Sequence, residues 1–305
     1  MTLLIVGSVA LDSVKTPHGE VKRALGGSAT YAGIAASYFS KPRIVGVVGE
    51  DFPKEYIDLM KKKKFDLSGL KVVPDGKTFH WAGSYDGNMA HANTLSTCLN
   101  VFEFFQPDLP LHFKNSDFVF LANIDPILQL HVLEQIQNPK MILCDTMNFW
   151  ITSKKDALLE VFKRSHVILV NEGEARLLTN EDSLIHAGDK LLELGPKCVI
   201  IKKGEHGAMI SSRDDNFSLP AYPLRSLKDP TGAGDTFAGG FIGYLSSQKR
   251  VSPLEIRRAM VAGTVLASFN CEEFSVKGTT SLTSRKINKR CAEFYDYAKI
   301  PKLGV

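Results

Sequence analysis

Short apolar runs alternate with longer segments of helical periodicity along most of this chain. The runs at 3–6, 44–48, 118–121, 141–144, 167–170 and 198–201 are nearly continuous in Leu, Ile, Val and Phe, as expected of strands covered on both faces. Between and after them, helical patterns are expected near 28–38, 53–63, 126–137, 154–163, 184–194, 236–247 and 253–269. This order predicts an α/β fold, a doubly wound and mostly parallel sheet flanked by helices. Ligands in such sheets gather outside the carboxyl ends of the strands. That rule points to the residues after each run: Gly7 to Asp12, Asp145, Asn171, and Lys202 to Gly204.

The stretch from about 71 to 113 breaks the alternation. It is aromatic and β-prone, with Thr78-Phe-His-Trp81, Tyr85 and Val101-Phe-Glu-Phe-Phe105 separated by turn residues. Together with residues 13–24 it predicts a small β-rich lid on a single domain spanning 1–305.

Composition narrows the classes. Hydrophobic residues make up 44% and charged residues 23%, ordinary for a globular protein, and the net charge of +4 is too mild to imply nucleic acid. No apolar stretch nears the ~20 residues of a membrane span. The N-terminal apolar run is too short for a signal peptide, so a cytoplasmic protein is expected. Five scattered cysteines show no CxxC spacing, which argues against a disulfide framework or a zinc site. The four lysines 61–64 fit the exposed end of a helix starting near Pro53.

The most informative segment is Asp229-Pro-Thr-Gly-Ala-Gly-Asp-Thr-Phe237, which leads into an apolar run of helical length. Pro230 stops the preceding element, and Gly232 and Gly234 allow a tight turn with exposed N–H groups. Free N–H groups at a helix start attract anions through unpaired donors and the helix dipole. A carboxylate inside an anion site is poorly placed unless it handles a proton. Asp235 is therefore expected to act as a general base toward a hydroxyl that attacks a phosphate held by those N–H groups. The bland alternative is a glycine turn with an N-capping Asp.

This segment resembles the signature of the PfkB (ribokinase) family of ATP-dependent sugar and nucleoside kinases, approximately D-T-x-G-A-G-D-x-F. Further points of resemblance extend over roughly 3–278. The resemblance implies that Asp235 is the catalytic base, with Gly232, Ala233 and Gly234 forming the anion hole. Asp12, shortly after the first strand, and the Gly26-Gly27 loop with Ser28 match the family's substrate-gripping positions. At the place where the family commonly puts a hydroxyl-binding Asn, this chain carries Tyr31. Asn171 and Glu174 match an N-x-x-E motif that organises Mg²⁺ and phosphate, usually through water, in keeping with a cation that retains most of its waters. Lys203, Gly204 and Gly207 resemble a nucleotide-side loop, and Thr231 and Asn270 fall where relatives approach the nucleotide. The segment 268–278 lacks an expected Gly-Ala pair, which leaves a monovalent cation (K⁺) open.

P-loop and Rossmann fingerprints both fail. Lys71 stands where a P-loop ending in Gly76-Lys-Thr78 needs Gly, and the spacing after Gly234 is wrong for the dinucleotide motif. The expectation is a kinase using ATP and Mg²⁺ on the primary hydroxyl of a sugar, with a ribonucleoside as the alternative acceptor. A catalytically silent sugar- or nucleoside-binding regulator is the third reading. Expected partners are the small-molecule acceptor and ATP, with no nucleic acid or membrane, and homodimerisation through the lid is allowed by the resemblance. Aromatic residues in the lid (Phe79, Trp81, Tyr85) suit a nucleobase or the apolar face of a sugar equally, and the breadth of sugar kinases in the family tips the lean slightly to a sugar.

Overall fold

The structure is a computed structural model that describes residues 1–89, 91–213 and 215–300. Positions 90, 214 and 301–305 of the expected domain and lid spans lie outside the described residues. The strands are β1 Leu3–Val6, β2 Ala10–Thr16, β3 Gly19–Gly26, β4 Pro42–Gly49, β5 Asp66–Val73, β6 His80–Tyr85, β7 Ala92–Cys98, β8 Phe118–Leu121, β9 Met141–Asp145, β10 Val167–Asn171, β11 Cys198–Lys202, β12 Ala208–Ser212 and β13 Phe217–Leu219. The helices are α1 Ser28–Ala36, α2 Lys54–Lys62, α3 Pro126–Gln135, α4 Asn148–Ser153, α5 Lys155–Arg164, α6 Glu172–Thr179, α7 Leu184–Glu193, α8 Ala233–Ser247, α9 Pro253–Cys271, α10 Lys277–Thr280 and α11 Ser284–Ala298.

Nine strands form one sheet in the order β13-β12-β11-β10-β9-β8-β1-β4-β5, parallel from β11 to β5 and antiparallel at β12 and β13. The continuous apolar strands are explained by two cores. Leu3 and Ile5 of β1 face a core shared with α1, α8, α9 and α11, while Leu4 and Val6 face one shared with α3, α5 and α7. Both faces are buried, so no strand of the centre can afford a polar alternation. From β1 the chain goes to β4 on one side and later to β8 on the other, which makes the carboxyl end of β1 the switch point.

The glycines of α8 have a packing cause. A Cβ at Gly239 would come within 2.1 Å of the Ala32 carbonyl oxygen, so α1 and α8 approach closer than side chains allow. This close packing fixes the start of α8 against the start of α1, and both starts line the site.

The lid is a second sheet in the order β3-β2-β6-β7, two hairpins joined by a parallel β2–β6 pairing. Its outline differs from the expected one. Residues 71–73 belong to β5 in the large sheet, and Phe105, Leu109 and Phe113 are buried in the second core, so that part of the aromatic stretch supports the main body. Among the described residues no helix is long and apolar enough to cross a membrane.

Candidate active site

The turn before α8 is organised by Asp229, which is fully buried. Its carboxylate accepts from Thr231 N–H (2.9 Å) and Ser275 N–H (3.2 Å), closing the loop beneath the helix start. Asn270, also fully buried, donates to the Thr231 carbonyl at 2.8 Å, while its own Oδ1 has no partner among the described residues. Asn270 thus braces the turn from behind. Thr231 donates its hydroxyl to Tyr85 of the lid at 3.2 Å, which joins the turn to β6.

Gly232 caps α8 with φ 71°, in the left-handed region that glycine adopts without penalty. Ala233 N–H donates to the Pro230 carbonyl at 3.1 Å. Among the described residues that commitment leaves the N–H groups of Gly232 and Gly234, rather than all three, free at the positive end of the helix dipole.

Asp235 stands half-buried in the first turn of α8. Burial and the negative charge of Asp145 push its carboxyl up to about 7, against the pull of Lys202 and of its own N–H. Asp12 on β2 is buried, with its carboxylate against the Cα of Gly26, where a Cβ would fall 1.9 Å from Oδ2. Burial raises Asp12 to about 7 as well; the Gly27 N–H pulls it back, and Asp235 and Asp229 add repulsion. Two carboxylates poised near neutrality and close enough to repel can share a hydroxylated molecule, one gripping hydroxyls and the other taking a proton.

Tyr31 is 2% exposed, and its ring packs against Gly232 at the start of α8. Burial holds its hydroxyl well above the usual phenol range, reinforced by Asp12, Asp229, Asp235 and Tyr85, and the hydroxyl has no partner among the described residues. A buried hydroxyl without a partner carries a desolvation cost that a bound ligand can relieve. Ser28 is used differently: its N–H donates to Ser8 Oγ at 2.9 Å while its own Oγ accepts from Ser8 N–H at 3.1 Å, which locks the end of β1 to the start of α1.

The N-x-x-E residues form a reciprocal cap on α6. Asn171 Oδ1 accepts from Glu174 N–H at 2.8 Å, and Glu174 Oε2 accepts from Asn171 N–H at 2.7 Å. The Asn171 side-chain oxygen is thereby engaged, but only one oxygen of Glu174 is. Glu174 is buried and raised to about 7 by burial and by Asp145, with Lys202 opposing. A buried carboxylate held near neutrality, with an oxygen outside the cap, fits a Mg²⁺ that keeps most of its waters.

Lys203 begins the turn to β12, its N–H donating to the Gly207 carbonyl at 2.7 Å, and Gly204 and Gly207 shape that turn. Its neighbour Lys202 is the lysine that enters the site. Lys202 Nζ bonds both oxygens of Asp145 at 3.0 and 3.1 Å, and a Cβ on Gly234 would lie 3.3 Å from it. The strand-end rule singles out both Asp145 and Lys202 but gives them no role; the parallel pairing of Asn171 with Lys202 brings the three strand ends together. Asp229 was equally without an assigned role in the sequence, and Tyr85, expected there as a ring to pack on the acceptor, accepts a hydrogen bond from Thr231 through its hydroxyl.

Comparison with known proteins identifies the family. Residues 4–281 match the pfkB family of carbohydrate kinases. The chain is 30% identical over 269 residues to a cytidine kinase of Thermococcus kodakarensis, covering 84% of this chain and 91% of that protein. A Burkholderia thailandensis nucleoside kinase solved with inosine superposes with a TM-score of 0.79 at 20% identity, covering 97% of this chain and 98% of the other. A putative ribokinase II from E. coli solved with ATP and Mg²⁺ gives 0.79 at 18% identity over 96% of this chain and 99% of the other. The chain belongs to the pfkB family of carbohydrate kinases and is an ATP-dependent kinase.

Proposed function

We propose that the protein transfers the γ-phosphoryl group of ATP to the primary hydroxyl of a ribonucleoside. The observation that carries the reading is the buried, unpartnered Tyr31 hydroxyl, on a ring packed beneath Gly232 of the turn before Asp235, together with the mutual repulsion of Asp12 and Asp235. Asp12 accepts from the vicinal hydroxyls of the ribose and orients the ring. Asp235 takes the proton of the primary hydroxyl as its oxygen bonds to phosphorus and the bond from phosphorus to the ADP oxygen breaks. The Gly232 and Gly234 N–H groups hold the charge of the transferring group. When bound, Mg²⁺ neutralises the phosphate oxygens, and the oxygen of Glu174 outside the cap is the protein group that would organise its waters.

A base on the acceptor, rather than a free sugar, is supported by two features. The relative that aligns over 91% of its own length is a cytidine kinase. At the same end of the sheet, Met147 and Phe149 follow β9 with exposures of 40% and 56%, an apolar ledge suited to a flat ring. Trp150 steadies that ledge by donating to Asn123 Oδ1 at 3.0 Å.

The test is ADP release with a panel of cytidine, adenosine, inosine, ribose, fructose and inositol. A nucleoside is expected to exceed every free sugar at least ~10-fold in kcat/KM, and Phe149→Ala to raise its KM. A free monosaccharide that leads the panel by that margin would reject the nucleoside reading.

A further inference from the structure

Lys202 and Asp145 have no part in the chemistry described so far, yet they occupy its centre. The Asp145 side chain is 5% exposed and that of Lys202 19%, and the two are joined by both carboxylate oxygens. The charge of Lys202 also acts on two further acids, Glu174 and Asp235. One cation thus serves three carboxylates. A buried ion pair is weak support for a fold, because apolar residues of similar volume do as well or better. A pair retained at the end of two central strands, with surplus negative charge around it, calls for another explanation.

The position of the ammonium supplies one. Nζ lies against Gly234 on the side of the α8 start, beside the free N–H groups that await a phosphate. Backbone N–H groups carry partial charges only, whereas a phosphoryl group in transfer spreads a full negative charge over its three outer oxygens. The absence of a side chain at Gly234 leaves the ammonium open toward that place.

We propose that Lys202 is a further catalytic residue, the side-chain cation that contacts the transferring phosphoryl group, and that Asp145 is its positioning residue. Without ATP the ammonium rests on Asp145. With ATP bound it shares its three donors between Asp145 and an oxygen of the γ-phosphoryl group, in charge-assisted bonds. No proton or electron moves at Lys202; the phosphorus–oxygen bond to ADP breaks, the bond to the acceptor oxygen forms, and the proton goes to Asp235. This inference rests on the kinase reading but not on the identity of the acceptor.

The experiment compares wild type, Lys202→Met, Lys202→Arg and the double variant Asp145→Asn/Lys202→Met, each as full chain. Lys202→Met is expected to lower kcat by about 10²- to 10³-fold, the scale of a lost transition-state donor, with acceptor KM within about threefold. Its affinity for ATP relative to ADP, measured by calorimetry, should fall about tenfold, because only ATP carries the contacted group. Lys202→Arg should recover part of kcat. The double variant removes both buried charges; it should regain the melting temperature that Lys202→Met loses and stay inactive. Recovery of activity in the double variant, or an ATP-to-ADP affinity ratio unchanged in Lys202→Met, would overturn the proposal by reducing Lys202 to a counter-ion of Asp145. If wild type phosphorylates only free sugars, the nucleoside reading fails while the nucleotide-affinity ratio still decides the role of Lys202.

Discussion

The ring of Tyr31 lies directly beneath Gly232: a Cβ on that glycine would fall 2.4 Å from two ring carbons. The turn before α8 is therefore seated on an aromatic side chain of the first helix, and φ 71° at Gly232 is fixed by contact as well as by hydrogen bonding.

Gly232→Ala meets both obstacles. It is expected to destabilise the protein by roughly 1–3 kcal/mol, the cost of a residue forced into a sparsely populated backbone region, and to lower kcat at least ~10²-fold by displacing an anion-binding N–H. Thermal unfolding and steady-state kinetics on the same sample check this. Near-wild-type kcat would mean that the Gly232 N–H does not contact the phosphoryl group.

Tyr31→Phe should act in opposite directions on stability and binding. Removing a buried hydroxyl with no partner is expected to leave the ligand-free protein as stable or up to ~1 kcal/mol more stable. If that hydroxyl bonds the acceptor, acceptor KM rises several-fold with kcat little changed. Unchanged KM across the acceptor panel would show that Tyr31 serves only as a floor for Gly232.

Asp235→Asn is expected to lower kcat by about 10²-fold or more with a small change in ATP affinity. In wild type, the base works only when ionised, and its carboxyl sits near 7, so kcat/KM should climb as pH rises through that value and then level. The same shifts set a stability slope. Between the ordinary 3.8 and about 7, the folded chain keeps protons on Asp12 and Asp235 that the unfolded chain has released, so these groups make the ligand-free protein less stable as pH rises. Melting curves across that interval should show the fall, shallower in Asp12→Asn.

Glu174→Gln preserves a side-chain oxygen for the α6 cap but removes a negative charge. Its melting point should therefore stay close to wild type, while the free Mg²⁺ needed for half-maximal activity rises. A Mg²⁺ titration that superposes on wild type would confine Glu174 to capping.

The central sheet was legible in the sequence because strands buried on both faces have a single appearance: β1, β8, β9, β10 and β11 are runs of apolar residues and little else. The lid strands lack such a mark. Every residue of β7 is exposed, and β6 is half-buried except at Gly83, so neither shows the alternation that a one-sided strand requires. Helix α6 was hidden by its own cap, since Asn171-x-x-Glu174 carries a metal motif and a helix start in the same four residues. Asp235 and the glycine turn were legible because helix-start chemistry is local. The role of Lys202 was not, because adjacent lysines look alike until strand pairing decides which one turns inward. Helix α11, with only Ile287 and Phe294 buried, has too few apolar positions to announce itself.

Asp12 belongs to lid strand β2, whereas Asp235 belongs to the body, and the Tyr85–Thr231 hydrogen bond is a side-chain tie from the lid to the phosphate turn. One neutral hydrogen bond is worth only about 1 kcal/mol, so the tie alone holds the lid weakly. An acceptor held by Asp12 and presented to Asp235 spans the same gap as that tie and reinforces it. On the proposed reading occupancy and lid contact become one event: a molecule lacking either the vicinal pair or the primary hydroxyl leaves that bridge incomplete. On that same reading, ATP is guarded against hydrolysis until a complete substrate bridges lid and body.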